Sequence, residues 1–241
     1  MPRKKSHFEL TPDEYERHRS GHLERRRQAI VRDALRDVPH GGRVLELGSG
    51  TGGLLAELAA ERPDASFVGV DIEQKMVDYA QATHAQANVR FVCADPSTTP
   101  VLPDDSCDLV VSVDVLHHVG DLDGFVRTVS RLLRPGGRWL VIEPNSAHPY
   151  VFLSQERMRR AGVGEDHFRR RVAEPLFRAA GLTIAQRRFA LFFPGWLEHV
   201  PRQVAWIEPL LERFRLLGAS VVYVLARPAG RSLTESLKAT Q

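Results

Sequence analysis

The chain has 241 residues, 43% apolar and 26% charged, proportions of an ordinary globular protein that exclude a largely disordered chain. Its formal net charge of +3 is too mild to imply a nucleic-acid partner by itself. No stretch approaches the roughly 18 uninterrupted apolar residues of a membrane span, and the basic start Met1-Pro2-Arg3-Lys4-Lys5 has no apolar run behind it, so neither a transmembrane helix nor a secretory signal is expected.

Residues 1–10 read as a frayed tail. Thr11-Pro12-Asp13-Glu14 starts a helix: Thr11 caps, Pro12 suits the first helical position and Glu14 closes a capping box. The helix runs to about Asp37, with a break near Ser20-Gly21, and Pro39-His40-Gly41-Gly42 ends it. From Arg43 strands and helices alternate. Strands are expected at Val44–Leu47, Ser66–Val70, Val89–Cys93, Leu109–Val113 and Trp139–Ile142. Helices are expected at Leu54–Glu61 and Gln74–Ala85, and through Leu122, Phe125, Val126, Val129, Leu132 and Leu133, which recur at helical spacing. The alternation implies βαβ units and a parallel sheet covered by helices on both faces. After Glu143-Pro144-Asn145 it stalls: 149–180 reads as helical and arginine-rich, Leu182–Leu191 as a strand, 194–216 as a mixed insertion, Ser220–Leu225 as a last strand and 227–241 as a polar tail. The only cysteines, Cys93 and Cys107, fall in or beside apolar strands without CxxC spacing, so reduced core thiols in a cytoplasmic protein are expected, with no disulfide and no metal site.

The sharpest local signal is Glu46-Leu47-Gly48-Ser49-Gly50-Thr51-Gly52-Gly53, between a strand and a helix. Glycines there let the backbone turn tightly and approach a ligand. Gly48, Gly50 and Gly53 also satisfy the dinucleotide pattern GxGxxG, with Asp71 at about the spacing of a ribose-binding acid. Glu46 argues against that ligand, because a carboxylate repels a pyrophosphate and attracts an ammonium. Ala94-Asp95 closes the third strand with a carboxylate able to accept from an exocyclic amine.

Glu46-x-Gly48-x-Gly50-x-Gly52, Asp71-Ile72, Asp95, the run Asp108 to His118 and Leu133-Arg-Pro-Gly-Gly137 together resemble the class I S-adenosylmethionine methyltransferases, in the small-molecule subgroup that includes quinone-biosynthesis enzymes. The resemblance covers roughly residues 40–145. It implies an α/β Rossmann-like three-layer sandwich with helical insertions, built on a mostly parallel seven-stranded sheet of order 3-2-1-4-5-7-6 with strand 7 antiparallel. As a single domain it divides into an N-terminal helical cap (1–40), a cofactor-binding core (41–145), substrate-side insertions with a strand hairpin (146–226) and the tail. It implies S-adenosylmethionine as cofactor, with Glu46, Gly48, Ser49, Gly50 and Gly52 under the methionine, Asp71 on the ribose hydroxyls, Ile72 on the adenine, Ala94 and Asp95 at the adenine amine, and Val113 and Asp114 beside the methionine end.

Plainer readings stand beside these. Asp71 and Asp114 suit helix caps, Asp95 suits a turn before Pro96, and Met76 suits the core. Methyl transfer needs a base only if the acceptor must lose a proton. Of ten histidines, His117 and His148 are the candidates, with Tyr150 close by, and the His117-His118 pair also suits a structural role.

The acceptor is a small molecule of unread identity. Leu191-Phe192-Phe193-Pro194-Gly195-Trp196-Leu197 suits an apolar roof. The clusters Arg25-Arg26-Arg27, Arg157/Arg159/Arg160 and Arg169-Arg170-Arg171 suit a phosphate, an anionic membrane surface or plain solvated helix faces. A nucleic-acid acceptor is disfavoured, since Ser112-Val113-Asp114-Val115 stands where adenine-methylating enzymes carry Asn/Asp-Pro-Pro-aromatic. The competing readings are a nicotinamide dehydrogenase and a non-catalytic S-adenosylmethionine-binding regulator or partner subunit.

Overall fold

A computed structural model describes residues 10–18, 21–160, 162, 167–191, 206–211, 214 and 217–229. The expected apolar roof beyond Leu191, most of the 194–216 insertion, the tail from residue 230 and the extreme N-terminus lie outside the described residues.

The N-terminal helix is two helices, α1 (Pro12–His18) and α2 (His22–Leu35). The capping box forms: Glu14 N donates to Thr11 Oγ1 at 3.2 Å and Thr11 N donates to Glu14 Oε2 at 3.0 Å. Gly21, with φ of 95°, starts α2, a backbone angle that L side chains rarely adopt. Then follow β1 (Arg43–Leu47), α3 (Gly53–Glu61), β2 (Ser66–Asp71), α4 (Gln74–Thr83), β3 (Val89–Cys93), β4 (Cys107–Val113), a 3₁₀ turn (Leu116–His118), α5 (Leu122–Leu132) and β5 (Leu133–Pro144). The helical region after β5 is also two helices, α6 (Pro149–Arg160) and α7 (Arg170–Ala179), before β6 (Thr183–Ala190), a single turn at Glu208–Leu211 and β7 (Ser220–Ala226).

All seven strands join one sheet of order 3-2-1-4-5-7-6, with β1 to β5 parallel and β7 antiparallel between β5 and β6. This is the Rossmann-like architecture and strand order expected from the sequence. Alternation along each strand splits the core into two layers. Val44, Phe67, Leu140 and Ile142 pack against α2, α3 and α4, while Leu45, Val68, Trp139, Val141 and Tyr223 pack against α5 and α7. Central β4 is buried at every position.

Two expectations change. Leu133, read as the helix's last apolar position, instead starts β5, paired to Cys107 across a register shift in the ladder. Sequence periodicity cannot separate these outcomes, because a buried leucine suits both. Cys93 is exposed, because β3 is an edge strand and Cys93 is its last residue, whereas Cys107 is buried and its thiol is pushed up to about 11 by desolvation. Both thiols are free. Among the described residues no helix is long and apolar enough to cross a membrane.

The C-terminal hairpin is tied to the sheet by Phe177, fully buried on α7, whose ring lies edge-on to Trp139 at 5.5 Å and to Tyr223 at 5.7 Å. Phe177→Ala is expected to cost about 3–5 kcal/mol. Urea unfolding should show a lower midpoint with an unchanged m-value.

Candidate functional site

The strand order reverses between β1 and β4, and crevices open at the carboxyl ends of strands at such points. Here the crevice is a cavity of about 700 Å³. Its floor is the loop after β1. Gly48 has φ of 74° and a Cβ there would lie 2.4 Å from Val115 Cγ2, so only glycine lets this loop meet the turn after β4. A Cβ on Gly50 would come within 3.2 Å of the Tyr15 ring, so α1 lies directly over the loop.

Asp71, the last residue of β2, borders the cavity. Its Oδ2 accepts from Gly50 N at 2.7 Å and its Oδ1 from Glu73 N at 3.0 Å, so the carboxylate ties the glycine loop to the start of α4. Burial nonetheless pushes Asp71 above its ordinary value, and the backbone hydrogen bonds only partly offset this. Two accepted bonds leave further lone-pair positions on the carboxylate for a ligand. Beside it Ile72 is 57% exposed, an apolar side chain left uncovered at the cavity edge.

Gly48, Gly50, Asp71, Ile72, Ala94, Asp95, Val113, Asp114 and His117 all border this cavity. Asp95 also serves its turn, with Oδ1 accepting from Ser97 N at 2.9 Å and from Ser97 Oγ at 2.6 Å. Met76 combines both roles, being buried in α4 and bordering the cavity.

The other candidates lie elsewhere. Glu46 and Ser49 border a smaller cavity of about 110 Å³ beneath α1, together with Glu16, Glu24 and Glu57. There Ser49 Oγ is buried without a hydrogen-bond partner. Gly52 borders neither cavity: it precedes α3 at φ of 80°, and a Cβ would strike the Phe91 ring at 2.5 Å. His148 borders neither cavity, accepts from Val151 N at 3.4 Å, and burial lowers its imidazole below the ordinary value.

Sequence reading missed three residues. Tyr15 borders both cavities. Arg27, read as part of a surface or phosphate-binding cluster, borders the main cavity and pairs with Asp114, which has φ of 56°. The signal for it was available: on α2, Arg27 falls in the stripe of Leu23, Ile30 and Val31, where a charge needs a buried partner. Arg26 and His22 meet buried Glu208 at 3.1 and 2.8 Å. The clusters around Arg157 and Arg169 do not border either cavity, and Arg159 and Arg160 bind Glu156.

The third missed residue is Glu143, fully buried near the end of β5. Its Oε1 accepts from Val115 N at 2.8 Å and Leu116 N at 2.7 Å, and its Oε2 lies 2.7 Å from His117 Nδ1. A charged residue closing an otherwise apolar strand is the signal that marks it.

Residues 45–141 match a family model described as a methyltransferase domain. Over 100 residues the chain is 36% identical to a fatty-acid O-methyltransferase of Mycolicibacterium smegmatis, covering 42% of this chain and 36% of that one. It is 34% identical over 165 residues to a ubiquinone biosynthesis O-methyltransferase of Rhizobium johnstonii, covering 64% of this chain and 65% of that one. The chain therefore spans under two thirds of the length of these relatives. A solved S-adenosylmethionine-dependent methyltransferase of Thermotoga maritima superposes with a TM-score of 0.67 at 23% identity, over 89% of this chain and 95% of that one. Residues 45–141 thus resemble a methyltransferase domain in sequence, and the whole chain shares the Rossmann-like fold of that solved structure.

Proposed function

We propose that the protein is an S-adenosylmethionine-dependent methyltransferase acting on a small, largely apolar acceptor. The observation that carries this reading is Asp71: a carboxylate at the end of β2, clamped by two backbone N–H groups, beside uncovered Ile72 in a cavity floored by glycines. In this role Asp71 accepts from the ribose hydroxyls, Ile72 covers the adenine and Asp95 meets its amine. Gly48 and Gly50 let the backbone pass under the methionine, whose ammonium suits the acidic side of the loop around Glu46 and Ser49. Val113 and Asp114 flank the methionine end.

The residues present fit that cofactor. Any side chain at Gly48 would crowd Val115, and the orphaned Ser49 Oγ awaits a partner. Among the described residues the main cavity is bordered by Asp71, Glu73, Asp95, Asp114 and Asp121 against one arginine, already paired. Such a charge balance favours a cation and opposes a pyrophosphate, which counts against a nicotinamide cofactor. When bound, S-adenosylmethionine supplies a methyl group on a positively charged sulfur. The chain contributes position, and alignment alone can lower the barrier by about 7–11 kcal/mol.

The same cavity is also bordered by Val119, Phe125, Pro144, Tyr150, Val151 and Ser154, which make part of its lining a mostly apolar chamber. A regulator that merely bound the cofactor would leave this chamber without a role, which favours the enzyme. With Arg27 engaged by Asp114, the chamber suits an apolar acceptor better than a phosphate-bearing one. An exposed free Cys93 suits a reducing compartment such as the cytoplasm.

Calorimetry tests the reading. S-adenosylmethionine and its demethylated product should bind and NAD should give no heat; failure of both nucleosides to bind the folded protein would falsify it. Asp71→Ala removes charge-assisted hydrogen bonds of about 1.5–3 kcal/mol and should weaken binding by about 10²-fold. Affinity should also fall on acidification from a pH above the ordinary carboxylate range, because protonating Asp71 removes an acceptor that burial already holds at a raised value. Asp71→Asn should abolish that pH dependence.

A further inference from the structure

We infer that α6 and the start of α7 form a docking face for an anionic lipid surface, set at the rim of the main cavity. The observation behind it is the rotation of α6. Tyr150, Phe152 and Leu153 are 54%, 46% and 66% exposed, whereas Gln155 on the same helix is buried. A helix packed for water alone shows the opposite arrangement, with polar residues outward and apolar ones on the core. Contacts fix the rotation. Gln155 Oε1 accepts from Ser146 Oγ at 3.2 Å and lies 3.3 Å from His167 Nδ1, and the His167 ring stacks on Phe152 with centroids 4.9 Å apart. Gln155 is thereby held inward, and Leu153 is left outward. Single exposed apolar residues are ordinary on any surface, but three within four positions of one helix form a patch that points to an interaction site.

Charge identifies the occupant. Tyr150, Leu153, Arg157 and Arg160 recur at helical spacing and are all exposed, so the apolar half of the outer face continues into a basic half. Arg157, Arg169 and Arg171 are exposed and carry no ion pair among the described residues, and Val172 next to them is 51% exposed. The stack of His167 on Phe152 brings the start of α7 beside α6, so these arginines flank the apolar patch. Over residues 149–172 the sequence sets six arginines against three acids. Such a face matches a bilayer surface: the apolar groups enter the acyl boundary while the guanidinium groups meet lipid phosphates. A second copy of the chain fits poorly, because a two-fold contact would set these arginines against one another. The helix would lie on the surface, since among the described residues no helix is long and apolar enough to cross it.

Position gives the face a use. α6 borders the main cavity through Tyr150, Val151, Ser154 and Gln155, and Tyr150 is both exposed and part of that lining. A bilayer resting on α6 therefore touches the rim of the chamber, and an apolar acceptor passes between two apolar media without crossing bulk water. This use rests on the proposed activity; the docking itself does not.

Vesicle co-sedimentation of the full chain tests the docking without cofactor or acceptor. The chain should sediment with vesicles of mixed phosphatidylcholine and phosphatidylglycerol, and about tenfold more weakly with phosphatidylcholine alone. Raising salt from about 0.1 M to about 1 M should weaken the binding, because the Debye length shrinks from about 10 Å to about 3 Å. Leu153 borders neither cavity, and Leu153→Ser should lower the affinity for the anionic vesicles about tenfold. Arg157→Gln should lower it about fivefold. Both variants should keep the wild-type thermal midpoint, because both side chains are exposed. No binding to either vesicle, equal binding to both, or wild-type affinity in Leu153→Ser overturns the proposal. A dimer in sedimentation velocity that Leu153→Ser dissolves would assign the face to a second copy and overturn it as well. Failure to bind S-adenosylmethionine would sink the methyltransferase reading and leave the vesicle result standing, so the two fail separately.

Discussion

The site depends on one close approach, between the loop that leaves β1 and the turn that follows β4. The two strands are neighbours, yet their crossovers run to opposite sides of the sheet, so the chain must part at their carboxyl ends. What keeps the parted loops near each other is the absence of a side chain at Gly48, against which Val115 sits. Val115 in turn is held by its backbone N–H on Glu143. A glycine on one side of the crevice and a buried carboxylate on the other therefore set its width.

Charge is organised around that geometry in two tiers. Asp71 and Asp95 border the cavity, pair with no cation among the described residues and are held by backbone or hydroxyl donors instead. Carboxylates with a structural duty are matched within the chain: Asp114 by Arg27, Glu208 by Arg26 and His22, Glu143 by two backbone donors and His117. Buried charges of the second kind are poor evidence for stability, because desolvation offsets most of what pairing returns. They fix geometry instead. Arg27 in particular anchors α2 to the end of β4, so the helices ahead of β1 are locked over the site by a charge pair rather than by apolar contact alone.

The sequence disclosed the sheet because alternation and period are statements about the backbone, and the backbone makes the sheet. Val44-Leu45, Leu109 to Val113 and Trp139 to Ile142 could be little else than buried strands, and the glycines after β1 could only mark a turn. The ends were less legible. Leu133 suits a helix or a strand equally, and the exposure of Cys93 depends on β3 being an edge, which no local pattern encodes. Side chains that cross the cavity were the hardest to read. Arg27 lies 87 positions from Asp114 and Glu143 lies 26 from His117, so each pair exists only once the sheet is assembled. Arg27 seemed one of three surface arginines, although its place in an apolar helical stripe set it apart. His148, four residues after Pro144, stood next to His117 as a candidate, and the structure separates them, since His117 borders the cavity and His148 does not.

The boundary of the family match carries a further physical meaning. It spans residues 45–141, which takes in Gly48, Asp71, Asp95 and Asp114, and stops before Glu143. Tyr15 and Arg27 precede it, and Pro144, Tyr150, Val151, Ser154 and Gln155 follow it, although all border the same cavity. The matched segment thus supplies the ends of β1, β2, β3 and β4, where the backbone itself shapes the surface, together with the turn after β4 and the start of α5. The unmatched segments add side chains mostly from helices, where substitutions alter shape and polarity without disturbing strand pairing. The cavity residues outside the match lie on α1, α2 and α6 and at the end of β5, where a substitution leaves the loop after β1 as it is.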